Sequence, residues 1–248
     1  MSELADRMGV ERDFARRLSR LTARQRRELR ELLGDPPDPS RVSAADWQRW
    51  EDERKKELML ILLGIFLASH ALHADELVPG GVDDSSRLEV NRQALLRASS
   101  MAAESASSST NTARDIIQAS AEVLRTGTSM DVEGVLIRAM GPDRDTLTAA
   151  TLTTEAQTHG MNSVKIPLAL IGLTLEPVWV TMRDEKVCAI CDPLDGKPVD
   201  LWGTVLEGII AGRAINTIVE NGGPPAHPRC RCYVRVQSRP IGARSERF

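Results

Sequence analysis

The chain has 248 residues, of which 42% are hydrophobic, 3% aromatic and 27% charged, and its formal net charge is −3. The apolar fraction excludes a wholly disordered protein, and the scarcity of aromatic residues predicts a mostly helical fold with a core of Leu, Ile, Val, Ala and Met. The net charge says little by itself, but arginines are concentrated at both ends, with seven between Arg16 and Arg30 and six between Arg229 and Phe248. Such basic segments contact nucleic acid or acidic protein surfaces, or form a solvated helix face and a tail.

The N-terminal third predicts two helices. Leucines recur at helical spacing from Glu3 to Leu33, and the following "GDPPDPS" ends that helix. Ser43 is a suitable N-cap for a second helix from Ala44 to about Ala74. This helix contains an apolar run of 11 residues, "LMLILLGIFLA", which is too short for a bilayer span of about 20 residues. The start "MSELADRMGV" has no apolar signal region, so we expect a reducing cytosolic compartment and no membrane.

The middle of the chain predicts three further helices. "VPGGVDDSS", residues 78–86, is a loop and a candidate subdomain boundary. An Ala- and Ser-rich helix follows from Arg87 to about Thr126, then a short helix from Asp131 to Met140. "GPDRD" reads as a turn, and the last helix runs from Thr146 to about Met161.

Near the C-terminus the hydrophobic pattern changes from a helical period to the two-residue alternation of β-strands. Val178, Val180 and Met182 alternate with polar or aromatic neighbours, and "CRCYVRVQS" alternates in the same way, so two strands that pair with each other are expected. The segment between them, "LWGTVLEGIIAGRAINTIVENGG", predicts one helix that ends at glycines. The predicted fold class is therefore mostly α with a small C-terminal α+β unit.

All four cysteines lie in this C-terminal unit. Cys188 and Cys191 form C-x-x-C, and His227, Cys230 and Cys232 form H-x-x-C-x-C. Two such pairs on tight turns are typical of a tetrahedral zinc site, and four protein ligands would make the zinc structural. There are five candidate ligands for four positions. We favour Cys188, Cys191, His227 and Cys230, with Cys232 facing the site or replacing His227.

No enzymatic constellation accompanies these ligands. A nucleobase deaminase needs H-x-E followed by P-C-x-x-C, but here the C-x-x-C comes first and Val187 precedes it. The sequence "GKPVD" lacks the other residues of a phosphate-binding loop, and there is no G-x-S-x-G. We therefore expect a protein that is not an enzyme.

The segments "VWVTMRDEKVCAICDPLDGKPV" and "PPAHPRCRCYV" resemble the C-terminal signature of the Mu F-like minor head proteins of tailed phages. The resemblance covers about Glu176 to Val236. It comprises a Trp-bearing strand, an Asp, the C-x-x-C, an "LDG" turn, a Pro-rich loop and C-R-C; here these are Trp179, Asp184, Cys188, Cys191, residues 194–196, Pro224, Pro225, Cys230 and Cys232. The family's helical upstream part corresponds to the helices from about Arg87 to Met161.

The resemblance implies a minor capsid protein that acts in head assembly or genome delivery. Its partners would be the portal protein and capsid proteins, with non-specific contact to packaged DNA through the basic tail. It would be located in the virion, and in the host cytoplasm during assembly. The implied organisation is an N-terminal helical docking segment (1–79), the helical part of the Mu F-like domain (80–170), an α+β zinc-knuckle unit (171–236) and a basic tail (237–248).

The alternative is a zinc-containing nucleic-acid-binding protein that uses its basic ends. Zinc ribbons that read DNA usually carry Lys, Arg and aromatic residues around their knuckles. The first knuckle here has four acids, Asp184, Glu185, Asp192 and Asp195, against three basic residues and no aromatic residue. This composition argues against direct reading of nucleic acid at that site.

Overall fold

The computed structural model describes residues 2–78, 81–164, 173–181, 189–197, 205–210, 213–218, 224–225, 230 and 232–240. The helices within these residues are α1 (Ser2–Leu33), α2 (Ala44–Leu77), α3 (Asp84–Ala119), α4 (Ala121–Thr126), α5 (Ser129–Ala139) and α6 (Pro142–Asn162). The strands are β1 (Leu173–Val180), β2 (Val205–Ile210), β3 (Arg213–Ile218) and β4 (Tyr233–Pro240), and short 3-10 turns lie at Pro39–Arg41 and Asp192–Leu194. The predicted mostly α fold with a small C-terminal sheet is confirmed.

The ends of the first helices follow the local sequence signals. Gly34 ends α1 with a φ of 73°, a conformation that glycine adopts without steric cost. Ser43 and Asp46 begin α2 as a reciprocal capping box: the Ser43 backbone N–H donates to Asp46 Oδ2 at 3.0 Å, and the Asp46 N–H donates to Ser43 Oγ at 3.2 Å. Both predicted boundaries are thus confirmed.

Two boundaries differ from the prediction. The long helix expected from Arg87 to Thr126 is divided at Ser120 into α3 and α4. The segment "GPDRD", predicted as a turn, contains the start of α6, which begins at Pro142 rather than Thr146. Proline is well tolerated at the first helical position because its fixed φ suits the helix and its missing N–H would have no helical partner there.

The strands form two separate antiparallel pairs. β1 pairs with β4, with Trp179 opposite Val234 and Val180 opposite Tyr233, as the alternating pattern predicts. The single helix predicted for residues 201–223 is wrong, because this segment contains the β2–β3 pair. The β-branched residues of the segment favour strands over helices, and the glycines Gly203, Gly208 and Gly212 destabilise a helix interior.

The chain contacts divide the protein into two compact units. Unit 1 comprises residues 1–61 and 98–149, and unit 2 comprises residues 62–97 and 150–248. This division passes through α2, α3 and α6, so it does not follow the expected boundary near residue 79. The predicted docking segment, residues 1–79, stays a prediction, and apolar side chains of residues 1–61 share a buried core with residues 98–149. The shared core of unit 1 contains Leu29, Leu33, Trp47, Trp50, Ala113, Ile117, Leu124, Val132, Val135, Leu136, Ala139 and Met140.

The arginines of α1 are largely paired within unit 1. Arg17 contacts Glu57 at 2.8 Å, Arg24 contacts Glu53 at 2.6 Å, and Arg30 contacts Glu133 at 3.1 Å. Arg16 and Arg26 also form ion pairs, with Asp13 and Glu133. Each of these exposed pairs contributes little to stability. Together they neutralise much of the basic character that the sequence places on this helix.

Unit 2 brings the C-terminal half of α6 against the C-terminal half of α2. A side chain at Gly160 would place its Cβ 2.4 Å from the carbonyl oxygen of Phe66, so only glycine fits this approach. Beside it, the buried His70 Nδ1 lies 2.8 Å from Ser163 Oγ. Because that hydroxyl donates to the Gly160 carbonyl at 2.5 Å, His70 Nδ1 must be the donor to Ser163. Burial, and secondly the charge of His73, lower the pKa of His70, which the charge of Asp75 partly opposes.

α2 is long and apolar enough to cross a membrane by length and composition. Core helices of soluble proteins pass the same test, and α2 buries Leu58, Leu62 and Phe66 inside the protein. The part of α2 that passes the test is 39% buried, and one such helix among the described residues is weak evidence for a membrane span.

Substitutions at two adjacent residues of α5 test how the core of unit 1 is packed. Leu136 is fully buried and Ile137 is 46% exposed. We expect Leu136→Ala to lower the free energy of unfolding by about 2–5 kcal/mol, because it removes buried methyl groups and leaves a cavity. Ile137→Ala, measured by the same chemical denaturation, is the control and should change the free energy by less than about 1 kcal/mol. Equal losses in the two variants would contradict the packing described here.

The lowered pKa of His70 predicts that the stability of unit 2 depends on pH. A pKa lowered below the ordinary 6.5 means that the unfolded chain binds the proton more readily, so stability is complete above 6.5 and falls as pH drops through and below that value. Thermal unfolding at pH 7.5 and pH 5.5 should show a smaller loss in His70→Asn, which keeps a donor near the Nδ1 position. Comparing the two proteins at each pH cancels other acid effects, and identical pH profiles would contradict the assignment.

Candidate metal centre

Three cysteines from two chain segments meet in unit 2. Cys191 lies on the loop that precedes the short 3-10 turn, and Cys230 and Cys232 lie immediately before β4. Their sulfur atoms all lie within 4.8 Å of one another, and the Cys191 and Cys230 sulfurs are 3.8 Å apart. All three side chains are buried, with residue exposures of 1–3%. The two cysteine patches of the sequence therefore form one cluster.

The loop that carries Cys191 is fixed to the free edge of β1. Trp179 donates its backbone N–H to the Lys197 carbonyl at 2.8 Å, and the Gly196 N–H donates to the Trp179 carbonyl at 2.8 Å. Gly196 has a φ of 75°, which permits the turn back toward the strand. Asp195 Oδ1 accepts from the Thr181 N–H at 2.8 Å, so this carboxylate closes the turn.

The other cysteine segment is held by α6. The hydroxyl of Thr158 donates to the Pro224 carbonyl at 2.7 Å. The hydroxyl of Thr154 has its closer acceptor in the Ala150 carbonyl, at 3.0 Å, and lies 3.4 Å from the Cys230 carbonyl. These two threonines are buried and lie one helical turn apart. The sequence analysis assigned these two threonines no role. The feature of the sequence that could have identified them is the repeated Thr in "TLTTEAQTHG".

The clustered thiols resist ionisation in the absence of a cation. Hydrogen bonds with Cys230 and then Cys232, together with burial, raise the pKa of Cys191. For Cys232, the hydrogen bond with Cys191 lowers the pKa, but the bond with Cys230 and burial outweigh it and the net pKa is raised. A divalent metal reverses this preference, because it binds thiolates and offsets their charge.

Trp179 provides a donor beside the sulfurs. Its side chain is completely buried in the same core cluster as the three cysteines, and its indole Nε1 makes no hydrogen bond of ordinary length within the described residues. The indole N–H is close enough to Cys232 to lower the pKa of that thiol. This N–H has no neutral acceptor and lies beside sulfur. If the sulfur were a metal-bound thiolate, the N–H would stabilise it by donating a hydrogen bond.

The sulfur spacing fits a tetrahedral metal ion. Zinc–sulfur bonds of about 2.3 Å at tetrahedral angles separate two sulfurs by about 3.8 Å, which is the Cys191–Cys230 distance. That distance is far beyond the S–S length of about 2.05 Å in a disulfide, and none of the three cysteines forms a disulfide within the described residues. Three buried cysteines thus lie close enough to bind a metal ion.

The remaining predicted ligands, Cys188 and His227, lie outside the described residues, as does Asp184 of the signature. The structure therefore places Cys191, Cys230 and Cys232 together, and which four of the five candidates bind the metal, with Cys232 or His227 the least certain, stays a prediction. Asp192 is exposed on the loop surface and Asp195 closes the turn, which agrees with the interpretation of these acids as turn residues.

Comparison with known proteins gives no relative: no family model, curated protein or solved structure matches the chain.

We expect this centre to bind about one metal ion per chain. Replacing Cys191, Cys230 or Cys232 with Ser should bring the metal content close to zero and unfold the β1–β4 pair, because structural zinc contributes about 10–16 kcal/mol of apparent binding free energy. The matched control is Asp192→Asn in the same loop, which should retain the metal. Elemental analysis of protein purified without added metal measures the ratio. Wild-type protein that contains no metal and keeps its stability in chelator would contradict the assignment.

Proposed function

We propose that the chain is a non-enzymatic minor head protein of a tailed phage, stabilised locally by a structural zinc ion. The observation that carries the proposal is the convergence of the signature residues. Trp179, Cys191, Leu194, Cys230 and Cys232 belong to one buried cluster. Residues spread over more than fifty positions share this cluster, which supports reading them as one structural motif rather than as unrelated matches.

Zinc is the metal that the donor set favours. Soft thiolate ligands in tetrahedral arrangement select zinc over the harder cations Mg²⁺ and Ca²⁺. A fourth protein ligand from Cys188 or His227 would leave no open position for water, and a closed site is structural rather than catalytic. The centre would then cross-link the loop after β1 to the start of β4.

A protein partner accounts for the surface of unit 2 better than nucleic acid does. Leu72, Leu88, Leu95 and Leu96 are between 50% and 75% exposed. Leu88 and Leu95 lie two helical turns apart on α3 and therefore on one face. Exposed apolar side chains grouped in this way are typical of protein interaction sites. We propose that this face of α3, which carries Leu88 and Leu95, contacts the portal or capsid protein.

The nucleic-acid alternative has less support. Five of the seven arginines between Arg16 and Arg30 form ion pairs with acids of unit 1. Their charge is therefore balanced locally rather than presented to phosphates. Contact with packaged DNA would then depend on the basic tail, residues 237–248, of which 237–240 end β4 and 241–248 lie outside the described residues.

Co-expression with the portal protein of the same phage tests the proposal. We expect the two proteins to co-elute in size-exclusion chromatography at moderate salt, and the double variant Leu88→Asp/Leu95→Asp to lose at least about tenfold in affinity. The control is the double variant Ser108→Asp/Asn111→Asp, two exposed positions elsewhere on the same helix with the same added charge. Two results would contradict the proposal. One is wild-type protein that does not bind portal or capsid proteins but binds a DNA sequence selectively, and the other is turnover of a nucleotide or peptide.

A further inference from the structure

Trp179 is a large core side chain whose polar atom has no neutral partner. The residue is completely buried, and its indole Nε1 makes no hydrogen bond of ordinary length within the described residues. A buried indole N–H normally has an acceptor, and a donor left unsatisfied in a core is costly. This donor therefore indicates an acceptor that cysteines in their neutral form do not provide.

The register of the β1–β4 pair places Trp179 beside Cys232. Trp179 lies opposite Val234, and Cys232 precedes Val234 by two residues, so it continues the same face of the strand. The diagonal neighbour across a strand pair is within reach of an aromatic side chain, and all three side chains are buried in one cluster. Hydrogen bonding with Cys191, and more weakly with Trp179, lowers the pKa of the Cys232 thiol, while Cys230 and burial raise it.

The indole N–H distinguishes two roles for Cys232. As a metal ligand, Cys232 is a thiolate, whose sulfur keeps negative charge and is a good acceptor. As a residue that only faces the site, with His227 as the ligand in its place, it stays a neutral thiol, which is a weak acceptor. Only the first role gives the buried donor a strong partner. The sulfur of Cys232 also lies within 4.8 Å of the other two clustered sulfurs, so it is near enough to share one ion with them.

We propose that Cys232 binds the metal and that Trp179 is a positioning residue, which donates its indole N–H to Cys232 Sγ. The inference rests on the metal centre of the proposed function. The hydrogen bond orients the sulfur and withdraws part of its charge, which reduces the repulsion among thiolates in one buried site. The ligand set is then the three clustered cysteines with one further residue, Cys188 or His227.

Cadmium NMR of the full chain tests both parts of the proposal at once. Cd²⁺ is a soft ion that thiolate sites accept in place of zinc, and the ¹¹³Cd nucleus couples to a hydrogen-bonded proton through the sulfur of its own ligand. The Trp179 indole proton, identified by its contacts with the Val234 methyl groups, should shift downfield on loading and show this coupling. Loaded protein in which the proton neither shifts nor couples would overturn the proposal alone. Protein that binds no metal would overturn the metal centre of the proposed function as well.

A conservative variant measures what the hydrogen bond contributes. Trp179→Phe keeps an aromatic ring and removes the donor, and it should weaken metal affinity by about ten- to a hundredfold, the usual effect of losing such an outer partner. Competition with a chromophoric chelator measures that affinity. In Co²⁺-loaded protein, the thiolate-to-metal charge-transfer band of the variant should move to lower energy, because the sulfur electrons are no longer stabilised by the N–H.

The matched control is Val234→Ala, which removes buried methyl groups opposite Trp179 but no donor. It should lower the stability of the strand pair and leave the charge-transfer band at its wild-type position. An equal band shift in both variants, or no shift in Trp179→Phe, would assign Trp179 a packing role only and overturn the proposal. If Trp179→Phe does not fold, the coupling measured in the wild-type protein still decides.

Discussion

The C-terminal part of the chain depends on three thiols that are packed together in a buried site. An isolated two-stranded sheet is marginally stable in water, so the β1–β4 pair needs partners on its faces and edges. It obtains them from the Cys191 loop along the free edge of β1 and from the core around Trp179. Threonine hydroxyls of α6 hold the backbone near Cys230 and Pro224. A metal ion bound by these sulfurs would join segments that are distant in sequence, which is the usual role of a structural zinc site in a small unit.

The N-terminal unit is organised by a different kind of interaction. Its helices share a leucine- and tryptophan-rich core, and a single buried triangle of Thr22, Arg54 and Asp145 connects α1, α2 and α6 within that unit. Replacing a buried ion pair with apolar residues is often neutral for stability, whereas removing one partner is strongly destabilising. The pair therefore constrains the relative positions of three helices more than it adds net stability.

The folded structure changes the interpretation of the arginines that are concentrated on α1. Arginines along α1 suggest a nucleic-acid surface when read alone. In the folded unit, acids from α2 and α5 pair with several of them, and unit 2 exposes large apolar side chains such as Leu88 and Leu95. A chain with these features presents apolar contacts to its surroundings and keeps much of its positive charge internally balanced. This arrangement supports a role in protein assembly.

The sequence by itself determined the helices of the first two-thirds, the capping box at Ser43, the glycine end of α1 and the pairing of β1 with β4, because these follow from local propensity, capping and alternation. It also indicated a metal site from the spacing of Cys188, Cys191, His227, Cys230 and Cys232. It did not determine the β2–β3 pair, where apolar β-branched residues and glycines fit either period of a short buried segment. Only the tertiary structure decided that residues 1–61 share a core with 98–149, that Trp179 lies against the thiols, and that Arg54 meets Asp145. Those contacts join residues as many as 91 positions apart, and no local pattern encodes which distant partner a side chain will find.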